Sequence, residues 1–232
     1  MKKYIFLWLL LPVWVSAQNR EIVEAASGED LTKKVSTHMQ YLFPEFTSGD
    51  VYYRGSPKSS GMMNYNMLVG EMQFVEDGKV LALANVKDVI LVNVDNRKFY
   101  PFNDKEFVEE IVSTGKGLLR VRRRGNVVQH SKKGAYGTSS SASSVTSYSS
   151  INSNSRQYGL TVEENVLITL NCTYYLVGLN GKYTLIKNRK TFSKQFPGHD
   201  AQIESFVKEQ QTRFDNEDDL KALTEYCSKL SH

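Results

Sequence analysis

The chain is poor in the residues that hold metals and disulfide scaffolds. It has two cysteines, Cys172 and Cys227, and four histidines in 232 residues. His38, His130, His199 and His232 are scattered. Neither a His-Glu-x-x-His run nor a cysteine pair at zinc spacing occurs, so no metal site is expected. Two cysteines cannot build a disulfide framework, and a chain this long does not need one. A single Cys172–Cys227 bridge stays open, beside the alternative of two buried thiols acting as small hydrophobes. The motifs "STGKG" and "GLNGKY" lack the full spacing of a phosphate loop and lie between strand patterns, which makes them hairpin turns. No Gly-x-Ser-x-Gly elbow is present, so the many serines have no visible activating base. No cofactor is implied. Carboxylate pairs that converge only in space stay open, with Glu71, Asp88, Asp95 and Asp104 as the candidates.

The one long apolar run is at the start. Lys2 and Lys3 precede "YIFLWLLLPVWV", and Val15-Ser16-Ala17 supplies the small residues of a cleavage site. This reads as a signal peptide over residues 1–17, with Gln18 as the new N-terminus. No cysteine follows the site, so a lipoprotein anchor is not expected. Nothing later is long and apolar enough to span a bilayer as a helix. The expectation is an exported protein, periplasmic or at the cell surface, with no transmembrane segment in its mature form. The formal charge of +4 includes two leader lysines. The working chain is therefore nearer neutral and carries no argument for nucleic acid.

Residues 18–46 form an N-terminal segment with a short helix, its apolar side at Leu31, Val35, Met39 and Leu42, stopped by Pro44. From Val51 the period becomes two. "DVYYR", "MMNYNML", "EMQFV", "KVLALANV", "VILVNV" and "RKFYPF" are short and closely spaced, with hairpin signals at Asp77-Gly78 and Asp95-Asn96. "EFVEEIVSTGKGLLRVRRR" fits a further hairpin about Gly115-Lys116-Gly117, a helix over 105–112 being the alternative. "NVLITLNCTYYLVGL" and "KYTLIK" flank Asn180-Gly181. Residues 47–194 thus predict a β-rich domain, mainly β and α+β overall, whose antiparallel meander forms a partial barrel or sandwich. Residues 195–232 predict a helical hairpin: one helix after Pro197-Gly198, and a second capped by Asn216 with Leu220, Leu223, Cys227 and Leu230 as its stripe.

Several stretches carry a resemblance: "YLFPEFTSGDVYYR", "MMNYNMLVGEMQFV", "VLALANV", "KKGAYG", and the tail "FPGHDAQIESFVKEQQTRFDNEDDLKALTEYC". Together they resemble a family of uncharacterised exported proteins of Bacteroidota. The resemblance implies a periplasmic or surface location in a Gram-negative cell. It implies no activity and no catalytic residue.

Charge is unevenly laid out. From Ile111 to Val162 there is no Asp or Glu, while Arg120, Arg122, Arg124, Lys132 and Lys133 cluster there; the last segment, from His199, holds eight acids against four bases. Arg120, Arg122 and Arg124 share one side of a strand, with Leu119, Val121 and Arg123 on the other. Three readings are open: a basic face for an anionic envelope component or an envelope protein, an edge strand guarded by charge, or an internal dock for the acidic helices. The favoured function is a non-enzymatic binding or scaffolding protein of the cell envelope. The alternatives are a hydrolase of envelope glycan or peptide, and a structural accessory of a larger complex.

Residues 134–157 form a Ser-rich loop; from Thr138 to Ser155 ten of eighteen residues are serine. Ala142, Val145, Tyr148 and Ile151 recur every third residue, a spacing that neither strand nor α-helix gives. The expectation is a surface loop pinned to the β domain at Val145, Tyr148 and Ile151, with plain disorder as the alternative.

Overall fold

The computed structural model describes residues 20–25, 33–115, 117–132, 147–148, 164–178 and 180–230. The expected leader, residues 1–17, therefore lies outside the described residues, as do Val145, Ile151 and most of the Ser-rich tract. Twelve strands make one sheet. In chain order they are β1 (Arg20–Ala25), β2 (Thr47–Tyr53), β3 (Ser59–Asn66), β4 (Glu71–Glu76), β5 (Lys79–Ala82), β6 (Val89–Val94), β7 (Arg97–Pro101), β8 (Phe107–Thr114), β9 (Gly117–Lys132), β10 (Ser147–Tyr148), β11 (Glu164–Val177) and β12 (Tyr183–Leu185). The helices are α1 (Thr37–Gln40), α2 (Arg189–Ser193), α3 (Asp200–Glu209) and α4 (Glu217–Leu230).

The sheet order is β1-β11-β9-β8-β7-β6-β2-β3-β4-β5, with β10 against β9 and β12 against β11. Every pairing is antiparallel. The hairpin signals act as expected. Asp77 and Gly78 take φ of 50° and 73°, and Asp95 and Asn96 take 47° and 61°, the left-handed pair that lets a two-residue turn follow the strand twist. The stretch about residue 108 is strand rather than helix, and Thr114 pairs directly with Gly117.

The sheet is open, with β1 and β5 at its ends. It is also strongly curled. The β3–β4 turn reaches strands that lie far along the sheet order: Gly125 donates its N–H to Leu68 O at 2.9 Å, and Phe107 donates to Gly70 O at 2.8 Å. This bridge, rather than strand pairing, gives the meander its partial-barrel form. Gly70 makes it possible, with φ of +70° and Arg124 Cδ 3.4 Å from where a Cβ would stand.

The inner face carries one buried cross-strand row, apolar but for Glu109. Val51 pairs with Val92, Val92 with Phe99, Phe99 with Glu109, Glu109 with Val121, and Val121 with Tyr174. All six are buried. On the β9 and β11 side, α2, α3 and α4 cover this face through Phe192, Ile203, Leu220, Leu223 and Cys227. The C-terminal hairpin is as expected: Asn216 Oδ1 accepts the Asp219 N–H at 3.0 Å. Two features differ from the expectation. The N-terminal segment contributes β1, and its described helix is one turn only. A five-residue helix, α2, also precedes the hairpin, set by a capping box between Asn188 and Thr191.

Candidate functional site

The arginines of β9 divide between the two faces of the sheet because the side-chain period of a strand is two. Arg123 points inward with Leu119 and Val121. It is 7% exposed and bonds Glu109, which is 2% exposed, and Glu217 Oε2 at 2.7 Å. Arg97 bonds the other oxygen of Glu109. Two guanidiniums and two carboxylates thus form a compact network, as burial of charge requires.

The outward arginines are not open cations. Arg122 Nε donates to Glu106 Oε2 at 2.7 Å, and Arg124 Nη1 lies 3.2 Å from Glu106 Oε1 and also bonds Val69 O. Arg120 is 9% exposed. Its guanidinium lies 3.7 Å from the centroid of the Tyr100 ring and bonds the Tyr183 hydroxyl. The arginines of the expected basic face thus already meet partners within the chain. Glu106, from the loop before β8, neutralises Arg122 and Arg124, and aromatic rings cover Arg120. The internal-dock reading holds for a residue on the opposite side of the strand, Arg123. Lys133 lies outside the described residues; Lys132 is described only as the end of β9, paired with Glu164.

What the outer face offers instead is an aromatic cluster. Register sets Glu110, Arg120, Tyr175 and Leu185 in one row. Phe102 stands 5.3 Å from Tyr175 and 5.5 Å from Tyr183, and the two tyrosine rings are 5.8 Å apart in an edge-to-face contact. Arg122 lies 5.4 Å from the Phe102 centroid. Tyr100, Phe102, Tyr175 and Tyr183 are all half-buried. Burial, then the nearby Glu110 carboxylate, raises the Tyr100 hydroxyl above its ordinary range, so the ring stays neutral. Lys98 Nζ stands 3.8 Å from Glu110 at the border. The face thus presents apolar ring surface with fixed donors and a carboxylate around it.

The hydrolase candidates do not combine. Glu71 is buried on β4, Asp88 ends a 3-10 turn, Asp95 supplies turn backbone, and Asp104 is exposed and paired with Lys87 at 3.3 Å. One serine not singled out from sequence does meet a histidine and an acid. Ser36 Oγ donates to Glu21 Oε2 at 2.5 Å and lies 3.4 Å from His38 Nε2. In a serine nucleophile the histidine stands between serine and acid. Here the carboxylate binds the hydroxyl directly and also accepts the Ser36 N–H at 3.1 Å, which ties β1 to the start of α1. Among the described residues no group of three His, Cys, Asp or Glu is placed to hold a metal ion, and no helix is long and apolar enough to cross a membrane.

Cys172 and Cys227 are not joined: Cys172 is exposed on β11, and Cys227 is buried on the inner side of α4. Of the three loop anchors, Tyr148 is placed. It belongs to β10 and pairs with Val127 of β9, while Ser147 pairs with Val128.

Comparison with known proteins gives no match: no family model, no curated protein and no solved structure matches the chain. The chemistry of the outer face is accordingly read from its own geometry.

Proposed function

We propose that the chain is an exported, non-catalytic protein of the cell envelope that docks a protein partner through the aromatic face around Arg120 and Arg122. The observation that carries this reading is the stacking of Arg120 on Tyr100 at 3.7 Å, with Phe102, Tyr175 and Tyr183 half-buried beside it. Tyrosine and arginine are the residue types enriched at the energetic centres of protein interfaces, where rigid rings give contact area at small entropy cost. The guanidiniums are already oriented by Glu106 and Tyr183, so little ordering remains to oppose docking. Export is supported by the leader sequence of residues 1–17.

The test is affinity capture from envelope extract of the native host, with wild type, Tyr183→Ala and Phe102→Ala as baits at moderate salt. The expected result is one protein retained by wild type and lost by both variants. Loss of a ring at an interface centre costs about 2 kcal/mol or more, roughly thirtyfold in affinity. Equal capture by all three folded baits refutes the docking face.

A further inference from the structure

On the helical side of the sheet, away from the aromatic face, a cavity of about 390 Å³ lies between α2 and the start of α3. We infer that it is a binding site for a phosphate group. Arg189, Lys190, Ser193, Lys194 and Asp200 line it. The cationic side is not used up by the fold. Arg189 pairs with Glu204 at 2.7 Å, but among the described residues neither Lys190 nor Lys194 has a carboxylate partner. Lys190 on α2 and Lys194 at its C-cap are four residues apart, so the two cations repel each other until an anion stands between them.

The backbone points the same way. α3 is ten residues long, and its N-cap, His199, makes no side-chain cap bond. Its first amides therefore retain donor capacity, and the helix dipole favours negative charge there. Gly198, at φ of +84°, turns the chain into α3 with nothing within 4 Å of where a Cβ would stand. Independently of charge and dipole, Ser193 lines the cavity, is 5% exposed, and its Oγ has no hydrogen-bond partner among the described residues. Buried hydroxyls are ordinarily paired. An oxygen of a bound phosphate supplies the missing acceptor, with Lys190 and Lys194 giving charge-assisted bonds. Asp200, at the rim, opposes the anion and sets the site to moderate affinity.

The experiment uses the mature chain, at constant ionic strength, titrated with inorganic phosphate and followed by amide NMR shifts. A second arm measures binding to phosphatidylcholine vesicles with and without phosphatidic acid. The expected result is saturable binding in at least one arm, with shifts at Ser193 and the first turn of α3. Lys190→Ala/Lys194→Ala should weaken it about tenfold or more, the worth of a charge-assisted bond. Ser193→Ala should weaken it less, and Asp200→Asn should tighten it. Response to free phosphate identifies a soluble phosphate as the source; response to phosphatidic acid alone identifies a lipid headgroup. Non-saturable shifts, or saturable binding that the two lysine substitutions leave unchanged in a folded variant, overturn the site. Neither outcome bears on the aromatic face, whose variants lie elsewhere.

Discussion

Arg123 Nη2 donates to Glu217 Oε2 at 2.7 Å across a separation of 94 residues in the chain. The contact ties the N-terminus of α4 to the middle of the longest strand. It also closes the neutral network with Glu109 and Arg97 in an otherwise apolar row. The position suits both partners, since an acid in the first turn of a helix faces the positive end of its dipole.

Removing the shared cation should be far worse than removing the peripheral acid. Arg123→Met leaves Glu109 buried at 2% exposure without its inward partner. Arg97 still holds the other oxygen of Glu109, so the expected loss is about 3 kcal/mol, the low end of the cost of breaking a buried pair. Glu217→Gln keeps the Arg123–Glu109 bond and a hydrogen-bonding amide, so it should change stability by about 1 kcal/mol or less. Urea unfolding of the two variants against wild type measures both.

The same acid gives a pH signature. Burial holds the Glu217 carboxyl above its ordinary 4.5, against the opposing pull of Arg123. The folded state therefore binds this proton more tightly than the unfolded state does. Its contribution to stability is full below about 4.5 and is lost as pH rises through the folded value. Wild type measured relative to Glu217→Gln should thus lose stability as pH climbs from 4.5 toward neutrality. A flat or rising difference would show that Arg123 outweighs burial.

The sequence shows which β9 residues share a face but not what they meet. Alternation places Arg120, Arg122 and Arg124 together, and the structure does the same. Their partners come from elsewhere: Glu106 is 16 residues from Arg122, and Tyr183 is 63 residues from Arg120. Nothing local marks either one as a partner. Turns and caps were legible for the opposite reason. Asp77-Gly78, Asp95-Asn96 and Asn216 act within a few residues of themselves. β1 was not legible because "REIVEA" becomes a strand only by pairing with β11, which lies far along the chain. α2 depends on one capping box, too short to give a periodic signal.

Gly70→Ala should destabilise the curl. The residue holds φ of +70°, and the new Cβ would meet Arg124 Cδ at 3.4 Å and Glu106 Cγ at 3.5 Å. Left-handed backbone costs a non-glycine residue about 1–2 kcal/mol, and the new contacts, at ordinary van der Waals distance, leave that backbone cost as the main effect. Thermal unfolding should show the loss. Gly78→Ala, also at positive φ but with open space around it, should cost about the same backbone share.

The two thiols should separate by reactivity. Burial raises both thiols, but Cys172 is an exposed residue, whereas Cys227 is buried and pushed up to about 12. The thiolate is the reactive form, so Cys227 should be inert in the folded protein. Iodoacetamide followed by peptide mass spectrometry should label Cys172 alone under native conditions and both after unfolding. Native labelling of Cys227 would mean that α4 opens readily.

Hydrogen exchange bears on the Ser-rich tract, where the spacing of Val145, Tyr148 and Ile151 raised the expectation of a pinned loop. Ser147 and Tyr148 pair with Val128 and Val127 of β9. In an antiparallel ladder, successive residues alternate between exchanging both backbone bonds with their partner and exchanging none. Of these two neighbours, one amide should therefore be protected and the other not. The protected one should exchange more slowly than a serine-rich coil allows, and β10 should melt before the β9–β11 hairpin, because two residues add few bonds to a long ladder. Exchange at coil rate for both amides would detach β10 from the sheet and remove the described anchor of the tract.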